Sequence, residues 1–151
     1  NGSARNWTIP TCSAFVAIIG ILAAVGVVAY SGYTAGAKKS STKSIHASLI
    51  KYVEAELLKC QIGETRVMDN HLTCANIKTS NQTSQSASRA LLKEFKNPYK
   101  TSEEAIYNGN IYDCKLASNE GRVYVYDDGT TLYIRSCPKQ NEMLSYNGVI
   151  E

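Results

Sequence analysis

The chain has 151 residues, a formal net charge of +3 and 19% charged residues. That length suits one compact domain with one special segment. The mild charge, alternating in sign after residue 54, lacks the clustered basic face of a dedicated nucleic-acid binder.

Residues 1–13, "NGSARNWTIPTCS", form an N-terminal segment with one basic residue, Arg5, one proline, Pro10, and Cys12. Cys12 is a conceivable reactive thiol or lipid-attachment site, but no small-residue lipobox surrounds it.

From Ala14 to Tyr33 no residue is charged. As a helix this run is ~30 Å long, one hydrocarbon thickness. A cleaved signal peptide wants a basic start and a shorter apolar core of roughly 7–15 residues. The small-residue triplet Ala35-Gly36-Ala37 is the best cleavage site on offer. An ordinary anchor fits no better. Lys38, Lys39 and Lys43 follow the span against Arg5 before it, which places the downstream domain in the cytoplasm. The cysteines place it in an oxidising compartment.

Beyond Tyr33 the helical pattern continues without a proline. Ile45, Leu49, Tyr52, Val53, Leu57 and Cys60 recur at spacings of three and four, with Lys43, Lys51, Glu54 and Lys59 between them. The expectation is one helix over 14–60, with 14–33 as a membrane or filament-core half and 34–60 packed on a globular head, 61–151. Gly20, Gly26, Gly32 and Gly36 weaken such a helix in water, but let helices approach closely in apolar surroundings.

"VAIIGILAAVGVVAYSGYTAGAK", Val16 to Lys38, resembles the start of bacterial type IV pilins and pseudopilins, where an "AIIGILAA" run leads to "AY…DYTA". The resemblance covers about 25 residues, and the rest of the chain is similar only in plan. It implies an α+β, type IV pilin-like fold: a long N-terminal helix packed on a C-terminal antiparallel sheet. It also implies burial of Phe15, Ala17, Ile18, Gly20, Ile21, Ala24 and Gly26 in a filament core. The pattern departs upstream. Counting back from Gly20, the family's leader Gly falls on Asn6, its first mature residue on Trp7 and its glutamate on Thr11, with Pro10 between. Asn6 and Trp7 are thus the processing candidates. Without the family's carboxylate, the N-terminal amine that it pairs in the core lacks a partner. Two readings stay open, a divergent subunit or a terminus whose first residues are not the native ones. Val28 stands where many relatives have a helix-breaking proline, which leaves Gly26 as the weak point for melting on assembly.

Beyond the apolar run, the four cysteines Cys60, Cys74, Cys114 and Cys137 allow three pairings. Sequence neighbours, Cys60–Cys74 and Cys114–Cys137, close the shortest loops. A zinc site is disfavoured, with no CxxC and only His46 and His71 as histidines. Residues 61–88 read as loop, the Ser/Thr/Asn/Gln-rich part exposed. Within it Asn81-Gln82-Thr83 is a glycosylation-type sequon, a triplet common by chance. "ASRALLKEFKNPY" predicts a short amphipathic helix with Ala90, Leu91, Leu92 and Phe95 inward, ended by Asn97-Pro98.

"NIYDCKL", "RVYVYDD" and "TTLYIRSC" predict strands, with Asp127-Asp128-Gly129 as a hairpin turn. Val123, Val125, Leu132 and Ile134 fall on one face, expected to meet the Ile45/Leu49/Val53/Leu57 stripe. Tyr124, Tyr126, Tyr133 and Arg135 fall on the other. That tyrosine face raises sugar binding or an electron path, against the ordinary use of aromatic pairs in sheets. Asp113, Asp127 and Asp128 are calcium candidates, on the analogy of some pseudopilins.

No GxSxG, P-loop or HExxH motif occurs, so no enzyme and no cofactor are expected. The resemblance implies a pilus subunit, held in the inner membrane before assembly and then in a surface filament (a fimbrium). Its partners would be identical subunits, the assembly machinery, and DNA or surface ligands; its uses adhesion, twitching motility or DNA uptake. The alternatives are a major pseudopilin of type II secretion and a membrane-anchored binding domain that never polymerises.

Overall fold

The computed structural model describes residues 11–150. Asn6 and Trp7 lie outside the described residues, as do the side chains of residues 11–14. The chain divides into two units, with the boundary between Gly36 and Ala37.

Helix α1 is a single element, Thr11–Gln61. No proline occurs from residue 11 to its end, so no backbone donor is lost inside it. Its C-terminus is set by Gly63, at φ +101. The Gly63 amide donates to the Cys60 carbonyl at 3.3 Å and the Glu64 amide to the Lys59 carbonyl at 3.0 Å. That bond pair closes a Schellman motif, which glycine enters without a Cβ penalty.

The first unit is the apolar part of α1. Its side chains from Phe15 to Tyr33 are exposed, and the helix is long and apolar enough to cross a membrane, with a mean hydropathy of 2.3 in its most apolar window.

In the second unit, α1 residues Ile45, Leu49 and Val53 enter one core with Val123, Val125, Leu132 and Ile134, as the alternation predicts. Leu57 packs at its margin. The architecture is α+β, a long N-terminal helix packed on a C-terminal sheet. Around it stand a hairpin of β1, Arg66–Val67, and β2, Leu72–Thr73; a helix α2, Gln82–Leu91; and a four-stranded sheet. The sheet strands are β3 (Ile106–Asn108), β4 (Val123–Asp127), β5 (Thr131–Lys139) and β6 (Glu142–Val149), paired in that order.

Three expectations need correction. The sheet is mixed: β3 runs parallel to β4, Ile106 opposite Val123, while β4–β5 and β5–β6 are antiparallel. Side-chain alternation is the same in both directions, so it does not report orientation. The strand expected at Asn110–Leu116 is irregular chain instead. Its backbone is held by Arg135, whose Nη1 donates to the Ile111 carbonyl at 2.8 Å, and by the backbone amide of Asn141, which donates to the Cys114 carbonyl at 2.9 Å.

The polar segment, expected as an exposed loop, is in part helical. Residues 82–91 form α2, with Thr83, Ser84, Ser86, Ala87 and Ser88 buried. Small hydroxyls bury cheaply when hydrogen-bonded. Thr83 Oγ1 donates to the Ile77 carbonyl and Ser86 Oγ to the His71 carbonyl, each at 3.0 Å. The helix stops at Leu91, so Leu92 is exposed rather than inward and Phe95 half-buried.

Strand β6 has no counterpart in the expected elements. Its half-buried, half-exposed alternation is weakly apolar, and Asn147-Gly148 within it reads as a turn. It is tied to α1 by Lys39 and Lys43 on Glu142, at 2.6 and 3.4 Å, and by the Tyr146 hydroxyl donating to Glu54 at 2.6 Å.

Candidate functional site

The first candidate is the apolar helix. Phe15, Ile18 and Ile21 are each more than half exposed, and Ala17 and Ala24 are exposed beside them. A Cβ built on Gly20 or Gly26 meets nothing within 4 Å, so these positions offer a second helix close access to the backbone. Two hydroxyls here are already bonded within the helix. Ser31 Oγ donates to the Val28 carbonyl at 2.9 Å and Thr34 Oγ1 to the Ser31 carbonyl at 3.0 Å. Such internal bonds lower the cost of leaving water, because an unsatisfied polar group in an apolar medium is expensive. Tyr30 and Tyr33 are exposed at the C-terminal end of the run, where amphipathic rings suit a membrane interface.

The four cysteines beyond the apolar run form two disulfides, Cys60–Cys74 and Cys114–Cys137. The first joins the end of α1 to a 3-10 turn at Cys74–Asn76 and encloses the β1–β2 hairpin. In that hairpin Met68, Asp69 and Asn70 all have positive φ, a conformation that costs non-glycine residues about 1–2 kcal/mol each. Burial of the Met68 side chain offsets this strain, as does its amide, which donates to Glu56 Oε2 at 2.5 Å. Burial opposes ionisation of Glu56, but the hydrogen bonds from Lys59 and Met68 outweigh it and hold its carboxyl below the usual range.

The three calcium candidates are engaged in contacts within the fold. Asp127 is fully buried, and its carboxylate accepts the amides of Asn81 at 2.9 Å and Ser84 at 2.7 Å, the N-terminus of α2. Asp128 accepts the Thr130 hydroxyl at 2.7 Å and the amides of Thr131 and Thr130 at 2.8 and 2.9 Å. The Thr130 hydroxyl bond leads these in drawing its carboxyl down to about 2. Asp113 pairs with Lys115 at 3.3 Å. Among the described residues, no three His, Cys, Asp or Glu side chains converge as a metal site.

The outer sheet face carries Tyr124, Tyr126, Tyr133 and Arg135, all half-buried. His46 is buried on α1 with no partner for Nδ1, and burial depresses its pKa. His71 is exposed in the hairpin turn. The Asn81 of the sequon has φ 63 and precedes α2, and its Thr83 is fully buried.

Comparison with protein-family models, curated proteins and solved structures returns no match.

Proposed function

We propose that this chain is a structural subunit of a type IV pilin-like filament on the cell surface, held in the membrane by the apolar part of α1 before assembly. One observation carries the reading: a run of exposed aliphatic side chains in the "AIIGILAA" order, on the same continuous helix whose later residues enter the core of a disulfide-bonded head. A soluble protein does not leave such a run bare. Lipid covers it in the membrane, and copies of the same helix cover it in a filament. The small residues Gly20, Ala24 and Gly26 permit close packing where lipid and protein are equally apolar. The contact is heterologous and open-ended, so it generates a helix of subunits rather than a closed ring.

The test is a charge placed where helices pack. Ala24→Glu in the producing cell should abolish surface filaments, because a carboxylate buried without a partner costs several kcal/mol. The same variant should keep both disulfides and the thermal midpoint of the head. Filaments assembling normally from Ala24→Glu subunits would defeat the proposal. So would a wild-type chain that remains monomeric in the membrane, the behaviour of a tethered binding domain.

A further inference from the structure

The outer face of the sheet holds a groove that the filament reading does not use. Tyr126 and Tyr133 are cross-strand neighbours on β4 and β5, with ring centroids 6.0 Å apart in a stacked arrangement. The Arg135 guanidinium lies 5.9 Å from the ring centroids of both Tyr133 and Tyr112. It is fixed by donating from Nη1 to Asn110 Oδ1 at 2.9 Å and to the Ile111 carbonyl. Asn108, Asn110 and Asp128 line the same groove, whose volume is about 680 Å³, within the roughly 300–1,000 Å³ common for small-ligand sites.

The chemistry left open in the groove is specific. Asn108 Nδ2 is engaged on Ser84 Oγ at 2.9 Å, so its Oδ1 remains an acceptor. Asn110 Oδ1 is engaged by Arg135, so its Nδ2 remains a donor. The single arginine is balanced by the exposed carboxylate of Asp128. A phosphate backbone calls for clustered cations, which this lining does not offer. A greasy ligand calls for aliphatic walls, and the walls here are phenol rings and amides.

Flat rings with hydroxyl edges, paired amide donors and acceptors, and no net charge suit a ligand with one apolar face and many hydroxyls. We propose that this groove binds a neutral oligosaccharide, with a pyranose C–H face on Tyr126 and Tyr133 and hydroxyls on Asn108, Asn110 and Asp128. The site belongs to the head alone and does not depend on filament assembly.

The experiment is saturation-transfer difference NMR on the full chain in a sugar-free zwitterionic detergent. The probes are cellotetraose, chitotetraose and lacto-N-tetraose at millimolar concentration, with oligothymidine and a tyrosine-rich peptide as competitors. At least one sugar should receive saturation on its ring C–H protons. Tyr133→Leu should weaken its binding by about fivefold or more, the loss of one aromatic contact. Tyr112 is 81% exposed, so Tyr112→Ala keeps the fold intact and should weaken binding in the same direction. Leu116→Ala, also exposed but outside the groove, should change nothing. The proposal is overturned if none of the three sugars receives saturation, if both tyrosine variants bind as the parent does, or if oligothymidine or the peptide occupies the groove while the sugars do not.

Discussion

Asp127, the last residue of β4, caps α2 from across the fold: its Oδ2 lies 2.7 Å from the Ser84 amide and its Oδ1 2.9 Å from the Asn81 amide. The helix's own N-cap residue, Asn81, makes no side-chain capping bond, so a strand carboxylate does that work. It also places a negative charge against the positive end of the helix dipole.

Removing that carboxylate should therefore cost more than an ordinary surface cap. Asp127→Ala loses the cap and leaves buried amides unpaired, about 2–4 kcal/mol in all. Asp127→Asn should retain part of the stability. Urea denaturation followed by far-UV circular dichroism measures both. Calcium or a chelator should leave the midpoint of the parent unchanged.

This contact shows where the sequence is legible and where it is not. The α1 stripe and the Val123/Val125/Leu132/Ile134 face are long periodic signals, and both enter the core as expected. Helix α2 is hidden because its buried face is made of hydroxyl residues and its cap comes from Asp127, 43 residues after Ser84. Parallel β3 is three residues long, too short to show a period. The groove is half legible: the tyrosine alternation is visible in β4 and β5, whereas Tyr112 and Asn110 reach it only through the Arg135 anchor.

Gly121 is a second fixed point. It has φ +78, and a Cβ there would lie 2.0 Å from Asn97 Oδ1. Asn97 is fully buried, donating to the Glu120 carbonyl at 2.9 Å and accepting the Tyr99 amide at 2.8 Å. Gly121→Ala should lower stability by about 2 kcal/mol or more, from backbone strain plus the displaced Asn97. Thermal unfolding monitored by tyrosine absorbance reads the loss.

Each disulfide should contribute on the order of 3 kcal/mol through the loop it closes, spanning 14 residues for Cys60–Cys74 and 23 for Cys114–Cys137. Replacing Cys60 and Cys74 by serine should also free the strained β1–β2 turn. Hydrogen exchange at the amides of Met68 and of position 74 should then rise before exchange in the sheet does.

Stability should fall in acid in two stages. Burial holds the His46 pKa below its ordinary 6.5, so below pH 6.5 the unfolded chain takes up a proton that the folded chain resists. That stability is present above 6.5 and is lost as pH falls toward the folded pKa. The carboxyls of Asp128, Glu103 and Glu142 are also depressed, by hydrogen bonds led by Thr130, Arg122 and Lys39 respectively. Their contribution is present above the ordinary carboxyl range and is lost as pH falls through the folded values, near 2 for Asp128. Denaturation midpoints from pH 7 to pH 2 should show both stages, and His46→Leu should remove the upper one alone.

On the proposed function, the exposed apolar part of α1 is an assembly helix. Cryo-electron microscopy of material sheared from the surface of producing cells tests it most directly. Thin filaments are expected whose core is a bundle of residues 15–33 from successive subunits, with the disulfide-bonded heads outside. Filaments whose core excludes these helices, or sheared material that lacks this chain while the membrane retains it as monomer, would contradict it.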